Sequence, residues 1–154
     1  MLTTKNIIQK LINKKISISV AESCTGGLIS HSITKLSGAS NIFKSGIICY
    51  SNDSKIKYLS VSKSILKKHG AVSSKVAEEM INGLFKKEGT EICVSTTGIA
   101  GPNGGSKNKP VGLIFIGIKF KKNKKIFKKF FTGTRLEIQK KTNEFIFKKL
   151  NELI

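Results

Sequence analysis

The chain has 154 residues, with 28 basic and 9 acidic side chains, and its formal net charge is +19. That length suits one ordinary domain, and a hydrophobic content of 39% excludes an intrinsically disordered chain. The longest apolar stretch runs only from Val111 to Ile118 and contains two glycines, whereas a bilayer span needs ~20 residues. We therefore expect a single domain over 1–154 with no membrane partner.

The positive charge is carried almost entirely by lysine, because Arg135 is the only arginine. A strongly basic chain is typical of proteins that bind nucleic acid. Dedicated nucleic-acid surfaces, however, rely on arginine for bidentate contacts. Lysine, isoleucine and asparagine also have AT-rich codons, so genome composition explains much of the surplus. We favour a solvated lysine surface and keep nucleic acid as the less favoured partner.

The sequence pattern predicts alternating helices and strands. In chain order these are a helix over 3–15, a strand over 16–20, a helix ending near 35, a strand over 45–50, short helices over 55–59 and 62–68, a helix from 73 or 74 to about 87, a strand over 91–97, a loop over 98–110, strands over 111–120 and 125–131, and a helix over 134–153. This order favours an α/β fold in one domain, a three-layer α/β/α sandwich with a mixed sheet.

The first candidate site lies where the strand over 16–20 turns into a helix. There the chain reads Ala21-Glu22-Ser23-Cys24-Thr25-Gly26-Gly27. The amides of Thr25, Gly26 and Gly27 would then face outward at a helix N-terminus, where amides bind a phosphate or a developing oxyanion. The alternative is an ordinary helix N-cap with a glycine turn.

The second candidate is the long loop after the strand that ends in Ser95-Thr96-Thr97. It contains Gly98, Gly101, Gly104 and Gly105 together with both prolines of the chain. A loop of this length in a compact domain is usually functional. The glycine and proline content favours a shaped loop over a flexible surface loop, which is the alternative interpretation.

Tyr50, Lys55 and Arg135 are further candidates because each lies in a segment that joins a strand to a helix. Ligands of open α/β sheets bind beyond the carboxyl ends of the strands, so these segments can meet there. The weaker candidates are the unpaired histidines His31 and His69 and the buried thiol expected at Cys24. No metal site is expected, since the cysteines lack the spacing of metal ligands. Three sparse cysteines fit a reducing, cytoplasmic setting.

Five segments together resemble the CinA C-terminal domain family, the nicotinamide-nucleotide amidohydrolases (nicotinamide mononucleotide deamidases). The resemblance covers nearly the whole chain, in order and at family-like spacing. The segments that carry it are Ala21-Glu22-Ser23-Cys24-Thr25-Gly26-Gly27, Tyr50-Ser51-Asn52, His69-Gly70-Ala71-Val72-Ser73, Thr97-Gly98-Ile99-Ala100-Gly101-Pro102 with Gly104-Gly105-Ser106, and Lys109-Pro110-Val111-Gly112.

The resemblance implies an amidohydrolase that converts nicotinamide mononucleotide to nicotinate mononucleotide and ammonia, with no metal or organic cofactor. It implies Ser23 as the nucleophile and Lys55 as its general base. Tyr50, Thr97 and Arg135 are implied as supporting residues. We also expect a homo-oligomer.

A serine–lysine pair works only if the lysine is neutral, so Lys55 should be buried although the other lysines are exposed. Arg135 and the glycine-loop amides would hold the substrate phosphate and the oxyanion. The residues do not assign these two roles between the loop at Thr25–Gly27 and the loop at Gly98–Gly105.

Two alternatives stay open. One is a domain that binds nucleic acid or another polyanion at the lysine-rich hairpin over 119–129, which the family's historical association with competence suggests. The other is a catalytically inactive homologue that only oligomerises.

Overall fold

The computed structural model describes residues 2–154, which form six helices and five strands. The helices are α1 (Thr4–Lys14), α2 (Leu28–Thr34), α3 (Asn52–Leu59), α4 (Lys63–His69), α5 (Ser74–Glu88) and α6 (Arg135–Leu153). The strands are β1 (Ile18–Glu22), β2 (Phe43–Ile48), β3 (Ile92–Gly98), β4 (Leu113–Phe120) and β5 (Asn123–Phe130). The predicted order of elements is confirmed, and a short 3₁₀ turn over Ala39–Asn41 lies between the second predicted helix and the second predicted strand.

The bounds of all five strands differ from the prediction by one or two residues, with β3 at 92–98 rather than 91–97 and β4 beginning at Leu113 rather than residue 111. β1 begins at Ile18 rather than residue 16, because Lys15 adopts a left-handed conformation that closes α1 and the Ile16 amide still donates to Leu11. β2 spans residues 43–48 rather than 45–50. β5 begins at Asn123, since the hairpin turn consists of only Lys121 and Lys122.

Most helices begin at a hydroxyl side chain that accepts a hydrogen bond from a backbone amide of the first turn. Such a cap satisfies one of the amides that the helix itself leaves unpaired. The caps are Thr3, Ser51, Ser62, Ser73 and Thr134. Ser51 matters for the site described below, because it fixes where α3 starts and therefore which way Lys55 points.

The five strands form one sheet in the order β2-β1-β3-β4-β5. β1 is parallel to both β2 and β3, whereas β4 and β5 are antiparallel to their neighbours. The mixed sheet is as predicted. Because the three parallel strands run the same way, their carboxyl ends meet at one edge.

Helices cover both faces of the sheet, as the three-layer prediction requires. On one face, Val20 and Val94 pack with the apolar side chains of α1, α2 and α6. On the other face, Ala21 and Cys93 pack against α3, α4 and α5. Strand residues alternate between these two cores because successive side chains of a strand point to opposite faces.

α5 approaches α3 closely at Gly83. A methyl group at that position would lie 1.8 Å from the Leu59 carbonyl oxygen, so only glycine fits. No helix within residues 2–154 combines the length and the apolar character that crossing a membrane requires.

Candidate active site

The loops that follow β1, β2 and β3 surround a cavity of about 240 Å³. Its position matches the general rule that ligands of such sheets bind beyond the carboxyl ends of parallel strands. The lining includes residues from the three strand ends and from the start of α6. Those that the sequence singled out as candidate site residues are Ser23, Tyr50, Lys55, Thr97, Gly98, Gly104 and Arg135.

Ser23 lies directly after β1, at the turn that precedes α2. Its backbone amide donates to the Thr96 carbonyl at 3.1 Å, which continues the pairing of β1 with β3 by one residue beyond Glu22. The side chain is buried but lines the cavity. The strand therefore holds the Ser23 hydroxyl rigidly at the cavity wall.

Lys55 belongs to the first turns of α3 and points away from solvent. Only 1% of the residue is exposed, although its neighbour Lys57 on the same helix is exposed. Its Nζ lies 2.9 Å from the Ser23 Oγ, 2.9 Å from the Cys49 carbonyl oxygen and 3.3 Å from the Tyr50 carbonyl oxygen. No carboxylate within residues 2–154 forms a salt bridge with this amine.

Burial lowers the pKa of Lys55 below its usual value, because the charged amine loses its hydration. The Arg135 guanidinium bonds the Tyr50 hydroxyl and the Gly101 carbonyl and forms no hydrogen bond with Lys55. A neutral amine has two N–H donors and one lone pair. The Cys49 and Tyr50 carbonyls match the two donors, which leaves the lone pair for the Ser23 hydroxyl.

The glycine turn after Ser23 is not the open anion site that the sequence suggested. Glu22 is fully buried, and its carboxylate accepts hydrogen bonds from the Gly27 amide and the Thr25 hydroxyl. The Gly26 amide donates to the Ser23 carbonyl. Thr25, Gly26 and Gly27 do not line the cavity. A buried carboxylate therefore occupies this helix N-terminus in place of a ligand.

The second glycine loop does face the cavity. Within the described chain, the backbone amides of Ala100, Gly101, Asn103 and Gly104 have no hydrogen-bond partner, and all four residues line the cavity. Unpaired amides in such a place are ready donors for an anion. Gly105, also a predicted binding residue, packs against Val111 outside the cavity lining.

Arg135 closes one side of the cavity mouth. Its Nη1 donates to the Gly101 carbonyl at 2.6 Å, and its Nη2 donates to the Tyr50 hydroxyl at 2.7 Å. Arg135 lies at the first turn of α6, whose start is fixed by the capping box of Thr134 and Glu137. The only arginine of the chain thus joins the loop after β2 to the second glycine loop.

Comparison with known proteins agrees with this fold. The family model of the CinA C-terminal domain matches residues 2–154. The chain belongs to the CinA C-terminal domain family.

Individual members of the CinA family are similar to this chain over most of its length. A CinA-like protein of Fusobacterium nucleatum is 48% identical over 140 residues, which is 89% of this chain and 34% of that protein. The chain spans about a third of the length of the curated relatives it matches. The crystal structure of the competence/damage inducible protein CihA from Agrobacterium tumefaciens has a TM-score of 0.91 and 35% identity, covering 97% of this chain and 92% of that one.

A CinA superfamily protein of Escherichia coli also has a TM-score of 0.91, at 28% identity, over 99% of this chain and 91% of its own. The single mixed sheet with helices on both faces is therefore the fold of this family.

The cavity of this CinA-family chain is also lined by two residues that belong to a family motif but were not predicted as site residues. Ala71 and Val72 line it, and the Thr97 hydroxyl donates to the Ala71 carbonyl at 2.7 Å. The motif itself was the available signal for them. Cys24 lines the cavity too, but burial raises the pKa of its thiol to about 12, so it is a poor nucleophile.

Glu22 was missed as a structural centre of the site. The signal was present in the sequence, since this acidic residue ends an apolar strand in a chain with only 9 acidic residues.

Within residues 2–154, no group of three or more histidine, cysteine, aspartate or glutamate residues is placed to hold a metal ion.

Proposed function

We propose that this CinA-family chain is an amidohydrolase that uses Ser23 as nucleophile and Lys55 as general base. One observation carries the proposal, namely the distance of 2.9 Å between the Lys55 Nζ and the Ser23 Oγ within a buried site. A buried lysine with no carboxylate partner is costly for a structural role. It is what a general base near neutral pH requires, because burial favours the neutral amine.

In the first half of the reaction, the Ser23 hydroxyl gives its proton to the Lys55 amine while its oxygen attacks the amide carbon. The tetrahedral intermediate places a negative charge on the former carbonyl oxygen. The Cys24 amide adjoins the nucleophile and has no partner among the described residues, so it is the nearest oxyanion donor. The carbon–nitrogen bond then breaks, and Lys55 returns the proton to the leaving ammonia.

In the second half, water replaces ammonia in the site. Lys55 takes a proton from this water, whose oxygen attacks the acyl–Ser23 ester. The ester bond breaks, the carboxylate product leaves, and the proton returns to the Ser23 oxygen. The same amine therefore acts as base and acid in both halves, which needs a pKa not far from the working pH.

For the substrate we propose nicotinamide mononucleotide, as the family resemblance implies. The cavity offers a division of roles that supports a phosphorylated amide. The amide next to Ser23 would serve the reacting carbonyl, while Arg135 and the unpaired amides of the second glycine loop, such as Gly104, line the same cavity and would hold the phosphate.

An ammonia-release assay with purified protein tests this proposal. Nicotinamide mononucleotide should release ammonia, whereas free nicotinamide, which lacks the phosphate, should react poorly, and the dinucleotide is the third comparison. Ser23→Ala and Lys55→Met should each lower kcat by at least about 10³-fold. Ser64→Ala and Lys57→Met, which change exposed residues of the same types, serve as matched controls. Wild-type rates in either site variant would refute the pair.

A second candidate function, polyanion binding, is favoured by one specific feature. Between β5 and α6 lies a groove of about 590 Å³ lined by Phe127, Phe145 and four lysines, namely 128, 129, 148 and 149. Binding of a single-stranded oligonucleotide there should weaken by about one log unit per log unit of salt for each phosphate neutralised. Tight binding at physiological salt, without ammonia release, would favour this function over the amidase. A protein that neither binds the oligonucleotide nor releases ammonia would be an inactive homologue.

We further propose that the chain acts as a homo-oligomer in the cytoplasm. Ile48, Tyr50 and Leu136 are large hydrophobic side chains that are 53%, 61% and 66% exposed, which suits an interface between copies. The three cysteines are free and buried, as a reducing compartment allows. Sedimentation velocity tests the assembly, and a sedimentation coefficient of a monomer at micromolar concentration would contradict it.

A further inference from the structure

Glu22 is, apart from Lys55, the only buried charged side chain in residues 2–154, and it is fully buried. Its carboxylate accepts five hydrogen bonds, all from the turn that leads into α2 and from the first residues of that helix. Oε2 accepts from the Thr25 hydroxyl at 2.6 Å, the Gly27 amide at 3.0 Å and the Ile29 amide at 3.2 Å. Oε1 accepts from the Ser30 amide at 2.8 Å and the Ser30 hydroxyl at 2.7 Å.

The backbone of Glu22 is also connected to the site by hydrogen bonds. Its carbonyl accepts from the Cys49 amide at 2.9 Å, and the Cys49 carbonyl in turn accepts from Lys55 at 2.9 Å. On the side-chain end, a methyl group at Gly46 of β2 would lie 2.3 Å from the Ser30 hydroxyl. β2 therefore carries a glycine where Ser30 needs room to reach Glu22.

We propose that Glu22 is a positioning residue for the nucleophile. By capping α2 with its side chain while its main chain ends β1, it fixes the turn in which Ser23 lies. This inference rests on the proposed function only through Ser23 being the nucleophile. In this role Glu22 keeps the Ser23 Oγ within hydrogen-bond distance of the Lys55 Nζ.

Glu22 does not itself act on the substrate. Its carboxylate forms no hydrogen bond with Ser23 or Lys55, and it does not line the cavity. Three backbone amides and two hydroxyls surround its two oxygens, so both oxygens are already paired within the chain. A base or acid role is therefore excluded by geometry.

Glu22→Gln is the sharpest test, because it keeps the size of the side chain while it changes the hydrogen bonding and the charge, and the pH midpoint of the assay separates these two changes. Both carboxylate oxygens face backbone amides, so the amide group of glutamine must turn its own N–H donors toward one of them. The side chain cannot satisfy both, and α2 should shift relative to β1. Misplacement of a nucleophile by about 1 Å costs on the order of 10²-fold in rate.

A fluorophosphonate probe measures the nucleophile independently of the amide substrate. The Ser23 oxygen forms a bond to phosphorus, the phosphorus–fluorine bond breaks, fluoride leaves and the hydroxyl proton goes to Lys55. Intact-mass spectrometry follows the labelled fraction with time, with Ser23→Ala as the unlabelled control. Circular dichroism confirms that each variant is folded at the assay temperature.

In folded Glu22→Gln, labelling should slow on the order of 10²-fold, while the pH at which the rate is half-maximal stays that of wild type. Ser30→Ala, which removes one of the five donors, should slow it less. Thr34→Ala removes a hydroxyl from the same helix that donates only to backbone carbonyls, and should label like wild type.

A folded Glu22→Gln protein with the wild-type labelling rate would overturn the inference. So would a shifted pH midpoint, since Glu22 would then act on the charge of Lys55 rather than on position. If Glu22→Gln does not fold, Ser30→Ala compared with Thr34→Ala decides, and equal rates for the two would overturn the inference. A wild-type protein that is labelled at Ser23 but releases no ammonia would refute the proposed amidase while leaving the role of Glu22 intact.

Discussion

Replacing Lys55 by methionine should change the pH dependence of stability as well as abolish catalysis. Burial lowers the pKa of Lys55 in the folded chain relative to the unfolded chain. Between the folded pKa and about 10.4, the unfolded chain therefore binds one more proton than the folded chain. Stability of the wild type must rise with pH through this window, and below the folded pKa the whole penalty of burying the charge is present.

The size of the effect follows from a single proton. One proton of difference changes the free energy of unfolding by about 1.4 kcal/mol per pH unit. For a domain of this size that corresponds to roughly 3–6 °C in Tm per pH unit. The absolute stability of Lys55→Met is less informative, because the Cys49 and Tyr50 carbonyls then lose a donor, at about 1–3 kcal/mol for each buried group left unpaired.

The measurement is the difference in unfolding free energy between wild type and Lys55→Met at pH 7, 8, 9 and 10. The difference should move in favour of the wild type as pH rises, because only the wild type carries the buried amine. Lys57→Met is the matched control on the same helix and should show no such trend, since Lys57 is exposed. A flat difference for Lys55→Met across this range would mean that Lys55 keeps its proton at neutral pH, and the general-base argument would fail.

The same lowered pKa predicts that kcat/KM rises with pH as Lys55 loses its proton and then levels off, and a profile that only falls from pH 6 upward would contradict the role of the amine. Arg135→Lys keeps the charge but loses the fork that bonds Gly101 and Tyr50, so KM for the mononucleotide should rise on the order of tenfold with kcat nearly unchanged; an equal KM would argue against a phosphate contact. Gly83→Ala should destabilise the fold by about 1–3 kcal/mol, because its methyl group meets the Leu59 carbonyl oxygen, and chemical denaturation showing no loss would contradict that packing.

The elements of the fold were predictable because they depend on local pattern. The alternating residues 16–20 predict a strand, although every residue of β1 is buried because helices cover both faces of the sheet. The apolar stripe of α5 predicts its buried face. Hydroxyl caps such as Ser73 mark helix starts in the sequence itself. The order of strands in the sheet is a property of the whole chain, however, and no local pattern states that β1 lies between β2 and β3.

The site was predictable in part for the same reason. The carboxyl-end rule brings Ser23, Lys55 and Thr97 to one edge once parallel strands are assumed. The role of the first glycine turn was not predictable. Whether amides at Gly27 stay open or meet a partner depends on which way the Glu22 side chain turns, and that is decided by the packing of α2 on the sheet. Spacing alone cannot report it.

The neutral state of Lys55 depends on where the nearby Glu22 carboxylate finds its hydrogen bonds. A carboxylate beside Lys55 would stabilise the charged amine and raise its pKa, which would remove the base. Glu22 precedes Ser23 in the chain, yet its oxygens face five donors from the turn before α2 and from its first residues and form no salt bridge with Lys55. The amine meets only the Cys49 and Tyr50 carbonyl oxygens and the Ser23 hydroxyl, which match the two N–H donors and the lone pair of a neutral amine. A neutral Lys55 therefore requires that the nearby acid be satisfied elsewhere, and the start of α2 supplies that satisfaction.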